Sequence, residues 1–258
     1  MIKAVFFDID GTLVSFKTHT VAPAVVAALH ELQQQGIKIF VASGRHQCTM
    51  DNVSAIPFDG YVTLNGGMCI AGKRIIYKHR IPAVDVTALF EYFDTEERFP
   101  CVFVHERGQS MTYKNATVEK VFAQIAFRDP PIRTAAAIRR SAVYQVLGFF
   151  GAAQERRLMR RLSHCATTRW HPLFADIVPA GSSKWIGITK MIAHFGIAPE
   201  ETMAFGDGGN DIEMLQNVQL SIAMGNAGSD VQQVAGNITA TVDDDGVVQA
   251  LRKFKLIR

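Results

Sequence analysis

No stretch of this sequence is apolar over the ~20 residues that a membrane-spanning helix needs, so no membrane partner is expected. Cysteine is scarce. Cys48, Cys69, Cys101 and Cys165 are the only four, and none sits in a C-x-x-C pair or at metal-ligand spacing. That excludes a zinc ribbon and a disulfide scaffold, and the thiols are expected to be small buried hydrophobes in a reduced compartment. An excess of one charge is also missing. With 27 Lys and Arg against 24 Asp and Glu, the formal net charge is only +3. The densest basic cluster, Arg156, Arg157, Arg160 and Arg161, falls at helical spacing and reads as a solvated face. Nucleic acid is not expected, because it calls for a basic patch or stripe. The first residues, MIKAVFFDID, turn acidic after too short an apolar run for a signal peptide, and the expected location is the cytoplasm. Internal repeats and low-complexity tracts are absent.

What is present is alternation. Lys3 to Phe7 reads as a buried strand and ends in a polar loop, Asp8-Ile9-Asp10-Gly11-Thr12. A helix follows from Pro23 to a stop at Gly36. Ile37 to Ala42 is a second strand ending at Ser43-Gly44-Arg45, and Tyr61 to Leu64 a third ending at Asn65-Gly66-Gly67. The last third resumes the pattern with a helix (Trp185–Phe195), strands (Thr202–Phe205, Ser221–Met224) and a closing helix (Val247–Phe254). Such alternation predicts a parallel, Rossmann-like α/β sheet. Between about Pro82 and Pro179 the pattern changes. Helices (Val84–Phe93, Thr117–Ala126, Ala153–Leu162) mix with hairpin-like strands (Cys101–His105, Ser110–Lys114, Val143–Phe149, Thr167–Trp170, Phe174–Val178). The expected organisation is therefore an α/β core, residues 1–81 and 180–258, with an inserted α+β domain, residues 82–179.

Asp8 and Asp10 lie at the C-terminal end of the first strand, the edge where open parallel sheets bind ligands. Two carboxylates this close repel unless a cation or proton lies between them, and hard oxygen ligands suit Mg²⁺. The fuller string Phe7-Asp8-Ile9-Asp10-Gly11-Thr12-Leu13 resembles the first motif of the haloacid dehalogenase superfamily. Ser43 matches its second motif, Lys184 in Gly181-Ser182-Ser183-Lys184 its third, and Gly206-Asp207-Gly208-Gly209-Asn210-Asp211 its fourth. The resemblance covers the whole chain. The insert between the second and third motifs is similar to the type IIB cap of Cof-type sugar phosphatases. Asn65-Gly66-Gly67 resembles the Asn-Gly-Ala of that subgroup.

The resemblance implies a Mg²⁺-dependent phosphatase acting on small phosphorylated metabolites, sugar phosphates first among them. Asp8 would be the nucleophile and Asp10 the general acid and base. The metal would lie on Asp8, the Asp10 backbone carbonyl and Asp207, with Asp211 holding its waters or orienting Asp207. Ser43, Gly44, Arg45, Asn65 and Asn210 would serve the phosphate or substrate, and Lys184 would neutralise charge at the nucleophile. A phosphosugar mutase and a non-catalytic sugar-phosphate sensor are the alternatives, and the expected state is a monomer or weak oligomer. Within the insert, Arg169 to Asp176 is the expected substrate-contact segment. His46 and His171 have no ligand-spaced partner and read as loop or surface histidines. Asp243-Asp244-Asp245-Gly246 lacks the later Glu of a calcium loop and reads as a turn.

Overall fold

A computed structural model describes residues 1–125 and 127–258, and of Trp170 the backbone alone. The chain forms two compact units, Met1–Tyr77 with Ser183–Arg258, and Lys78–Ser182.

The first unit begins with β1 (Ala4–Phe7), α1 (Pro23–Gln34), β2 (Lys38–Ala42), β3 (Gly60–Thr63), β4 (Met68–Ala71) and β5 (Arg74–Lys78), whose last residue enters the second unit. The second unit holds α2 (Ala83–Thr95), β6 (Cys101–His105), β7 (Gly108–Met111), α3 (Ala116–Gln124), α4 (Ala135–Arg139), β8 (Gln145–Gly148), α5 (Ala152–Met159), β9 (Cys165–His171) and β10 (Phe174–Pro179). The chain then returns with α6 (Lys184–Phe195), β11 (Thr202–Gly206), α7 (Ile212–Asn217), β12 (Leu220–Ala223), α8 (Ser229–Val234), β13 (Asn237–Ile238) and α9 (Gly246–Lys253).

The core sheet has the order β13-β12-β11-β1-β2-β3-β4-β5. From β13 to β3 every pairing is parallel, and β4 turns back antiparallel on β3. β1 lies at the centre and is buried along its whole length. Its side chains alternate between two apolar layers. Val5 and Phe7 join Ile39, Val41, Met203 and Phe205 on one face, and Ala4 and Phe6 join Phe40, Ala42 and Ala204 on the other. This explains why the strand reads as a continuous apolar run. Phe6 stacks on Phe40 at 4.8 Å and Phe7 on Phe205 at 5.1 Å; burial of each ring stabilises the fold by roughly 1.5–3 kcal/mol.

α1 starts with Pro23 in its first turn and buries Val25, Ala28, Leu29 and Leu32 along one stripe. Gly36, at φ 79°, ends it as expected. β4 and β5 extend the core sheet beyond the three early strands read from the sequence. The Asp-rich turn resolves as a tight turn, Val242–Asp244, with Asp245 left-handed at φ 55° before α9.

The inserted unit is a five-stranded antiparallel sheet, β7-β6-β8-β10-β9, with its own apolar core. Phe90 of α2 stacks on Phe103 of β6 at 5.4 Å, and Phe99 meets Phe150 edge-on at 4.8 Å. α3 is capped by Asn115, whose side chain accepts from Val118 N at 3.0 Å. Its expected last residue, Ala126, lies outside the described residues. Arg156, Arg157, Arg160 and Arg161 are all exposed, and Arg157 and Arg161 pair with Glu97 and Glu96.

His46 lies in the loop after β2, as expected, and the expectation of buried thiols is corrected at Cys48. His46 is a buried residue, 6% exposed, because its Nδ1 caps the turn Gln47–Thr49 and accepts from Cys48 N at 3.1 Å. Cys48 is exposed and Cys165 half-buried, and Cys48 Sγ lies 2.9 Å from His46 Nδ1. Among the described residues no helix is long and apolar enough to cross a membrane.

Candidate active site

The chemistry-bearing residues collect where neighbouring parallel strands end. Asp8 follows β1, Ser43 follows β2, Asn65 lies just past β3, and Asp207 follows β11. The ladder continues one step into these loops. Asp8 N donates to Phe205 O at 3.1 Å, Ser43 N to Val62 O at 2.8 Å, and Asn65 N to Ser43 O at 3.1 Å. Backbone pairing therefore fixes the roots of these side chains.

Lys184 comes from another direction, the first turn of α6. Ser183 caps this helix by accepting from Ile186 N at 3.2 Å. Two glycines let the helix approach the turn after β3. A Cβ on Gly66, which sits at φ 85°, would lie 1.9 Å from Ser183 O. One on Gly187 would lie 2.3 Å from Val62 Cγ1 and 2.9 Å from Gly66 Cα. No larger residue fits at either place. The approach brings Lys184 Nζ to 2.6 Å from both Asp8 Oδ1 and Asp211 Oδ1, with the lysine side chain fully buried.

Asp211 has both oxygens engaged, since Oδ2 accepts from Asp207 N at 3.0 Å and Gly208 N at 2.9 Å. It thereby shapes the loop that carries Asp207. Asp207 in turn accepts from Thr12 Oγ1 at 3.0 Å and from Asn226 Nδ2 at 3.3 Å. Oxygen atoms of Asp8, Asp207 and Asp211 all lie within 4.8 Å of one another. With all three carboxylates ionised, the single ammonium of Lys184 would leave two negative charges uncompensated. Burial pushes the Asp8 carboxyl up to about 7; Lys184 opposes this, and Asp211 and Asp10 add to it. Burial, then Asp8 and Asp211, push Asp207 up to about 8, against the Thr12 hydrogen bond. Burial works against the charge of Lys184, but Asp211 and Asp8 outweigh it and hold its pKa above the ordinary lysine value. A donor set made only of hard oxygens and two charges short of neutrality fits a divalent cation such as Mg²⁺.

The Asp10 carboxylate stands apart from this cluster. Arg45 holds it with two bonds, Nε to Oδ2 at 2.7 Å and Nη2 to Oδ1 at 2.5 Å. Ser43 is buried, and its Oγ accepts from Arg45 N at 3.2 Å. Asn65 is left-handed at φ 51° and accepts from Asn210 Nδ2 at 2.9 Å. Gly44 leaves room for that amide, because a Cβ there would lie 3.1 Å from Asn65 Nδ2.

Sequence reasoning missed Asn226 and gave Thr12 no role. Asn226 Nδ2 also donates to Gly11 O at 2.9 Å, so it ties the first loop to the Asp207 loop. Its signal was available: Met224-Gly225-Asn226 follows β12, a glycine-bearing strand end like those of β1, β2 and β11.

A parallel sheet carrying a buried lysine–carboxylate cluster at its strand ends, interrupted by an α+β insert, defines a class of hydrolase. The chain belongs to the haloacid dehalogenase-like hydrolases, whose family pattern matches residues 5–251, and within that family it is a phosphatase. The chain is 39% identical to the solved structure of BT4131, a subclass IIB sugar phosphatase, with a TM-score of 0.93 over 99% of this chain and 100% of that one. It is 29% identical to YkrA of Bacillus subtilis, named as a candidate phosphatase, over 99% of both chains. It is 27% identical to the HMP-PP phosphatase of Escherichia coli over 88% of this chain and 85% of that protein.

Proposed function

We propose that the protein is a Mg²⁺-dependent sugar-phosphate phosphatase that works through an aspartyl-phosphate on Asp8. The observation that carries this reading is the buried cluster of Asp8, Asp207, Asp211 and Lys184. Lys184 occupies Asp8 Oδ1, while no described residue donates a hydrogen bond to Oδ2. Oδ2 is then the oxygen that attacks phosphorus in line. The bond between phosphorus and the leaving oxygen breaks, and Asp10 supplies the proton to that oxygen. In the second half, water attacks phosphorus, the Asp8–phosphorus bond breaks, and Asp10 takes the proton. Lys184, Ser43 and Asn210 offset charge on the transferring group from fixed positions. Asp8 and Asp207 would hold a divalent metal, with Asp211 orienting the Asp207 loop, and the metal would supply charge neutralisation to the transferring group.

Sugar phosphates are the favoured substrates because the sugar phosphatase BT4131 aligns over nearly the whole chain, the insert included. We place substrate selection in the insert, at residues 169–176. Arg169 there is committed to structure: it bonds Glu155 at 2.6 Å and the carbonyls of Phe174 at 3.0 Å and Pro172 at 3.2 Å. His171 stacks on Phe174 at 5.1 Å, and its Nδ1 accepts from Leu173 N at 3.2 Å, which puts the ring proton on Nε2. Asp176 is buried in β10. The Trp170 ring, expected to meet a sugar face, lies outside the described residues.

Phosphate release from a panel of hexose, pentose and triose phosphates and nucleotides tests the reading. Hexose or pentose phosphates should be preferred, and Asp8→Asn should abolish turnover while the fold persists. Wild-type-like turnover by Asp8→Asn would dismiss the nucleophile. Transfer of the phosphoryl group to a second sugar position, without free phosphate, would make the enzyme a mutase.

A further inference from the structure

The two aspartates of the first loop have separate partners. Asp8 is held by the ammonium of Lys184, and Asp10 by the fork of Arg45. Arg45 is itself anchored. Its Nη1 donates to Thr49 O at 2.9 Å and lies 3.5 Å from Asn52 Oδ1, and its backbone N donates to Ser43 Oγ at 3.2 Å. Asn52 Nδ2 reaches His19 O at 3.5 Å, at the far end of the loop that begins with Asp10. Every nitrogen of the guanidinium is therefore engaged inside the protein. An arginine so placed has no fork left for a phosphate unless it gives up Asp10. The reverse arrangement is well suited to Asp10. A carboxylate oxygen can accept more than one hydrogen bond, so each oxygen bound by Arg45 retains a lone pair for a water. The planar fork fixes the carboxylate plane as a lysine could not.

We propose that Arg45 is the positioning residue for Asp10 in the second half of the reaction, and not a ligand of the substrate phosphate. Arg45 sets the carboxylate plane so that the attacking water is aligned. Water oxygen bonds to phosphorus, the bond from phosphorus to the Asp8 oxygen breaks with its electron pair returning to Asp8, and the water proton passes to Asp10. This rests on the aspartyl-phosphate reading of Asp8. It predicts a defect confined to breakdown of the phosphoenzyme when the substrate carries a good leaving group, since departure of p-nitrophenolate needs no proton from Asp10.

The test is rapid-quench kinetics of Arg45→Ala and Arg45→Lys with p-nitrophenyl phosphate, beside Asp10→Asn and Asp8→Asn. A general base contributes on the order of 10²–10⁴ in rate, and its misplacement should forfeit at least about 30-fold in kcat. Both Arg45 variants should show that loss, a matching fall in KM, kcat/KM within about threefold of wild type, and a nitrophenolate burst approaching one per site. Arg45→Lys retains the charge, so its failure to rescue separates alignment from electrostatics. The double variant Arg45→Ala/Asp10→Asn should be no slower than Asp10→Asn. A fall in kcat/KM with no burst, weaker inhibition by inorganic phosphate, or rescue by Arg45→Lys would overturn the proposal and return Arg45 to the phosphate. A burst that persists in Asp8→Asn would instead remove the aspartyl-phosphate itself, and the proposal with it.

Discussion

Lys184→Met offers the sharpest perturbation, because it removes one charge and leaves the aliphatic length nearly intact. Lys184 Nζ lies 2.6 Å from Asp8 and from Asp211, and the lysine side chain has no exposed surface. The variant therefore leaves Asp8, Asp207 and Asp211 facing one another with no cation among them. Breaking a buried ion pair by removing one partner costs about 3–5 kcal/mol. For a chain of this size each kcal/mol moves the melting temperature by roughly 2–4 °C, so a drop of about 6–20 °C is expected in EDTA. Part of that loss should return with Mg²⁺, since a ligand at a hundred times its Kd stabilises by about 2.7 kcal/mol. Adding Asp211→Asn should also restore some stability, and the double-mutant cycle would give the coupling directly. The rate should fall by a factor on the order of 10²–10³, the loss found when one preorganised donor is removed. Thermal melts with and without Mg²⁺, paired with kcat on p-nitrophenyl phosphate, measure both. A melt within about 1 °C of wild type, together with turnover within threefold, would refute the account of the cluster.

The pH dependence of the metal-free protein follows from the raised carboxyls. Asp8 at about 7 and Asp207 at about 8, against 3.8 unfolded, make the native state bind protons more tightly than the unfolded state. Stability in EDTA should fall as pH rises from about 4 to about 8, at up to about 1.4 kcal/mol per unit for each titrating group, and Mg²⁺ should flatten that slope. Denaturant unfolding at intervals across this range would show it, and a flat EDTA profile would count against the cluster. Gly66→Ala should lower stability by about 1–3 kcal/mol through its left-handed backbone, and kcat as well, because the methyl displaces Ser183 and so Lys184. Gly72→Ala, at φ 57° with nothing within 4 Å, should show only the backbone strain and serve as its control. His171→Ala should weaken kcat/KM for sugar phosphates and leave p-nitrophenyl phosphate nearly unchanged; parallel losses would make His171 structural.

The site was legible in the sequence where chemistry and strand ends coincide. Asp8, Ser43 and Asp207 each follow a short apolar run, and their residue types have few structural reasons to recur there. The double role of Lys184 was not legible, because its link to Asp211 depends on how closely α6 approaches the turn after β3. Arg45 posed a similar difficulty: a guanidinium beside a loop suits a phosphate or a carboxylate equally, and only the fold places Asp10 within 2.5 Å of it. Asn226 acts across 215 positions of sequence, where local pattern carries no information. In the fold, α7 and α8 are six residues each, too short to display a period, and β5 alternates weakly because none of its side chains is fully buried.

The pairing of β1 with β11 has a consequence for how the chain comes into being. The third and fourth residues of the sequence already lead into the central strand, yet one of its two neighbours begins at Thr202. The chain must therefore extend from Phe7 to Gly206 before β1 can be flanked on both sides. β2 can join β1 early and β3 can join β2, but the edge of β1 that β11 covers stays open until then. The insert, with its own sheet and apolar core, emerges complete in the meantime. Its collapse shortens the loop that must close between the two halves of the core, and loop closure is what slows folds built on distant contacts.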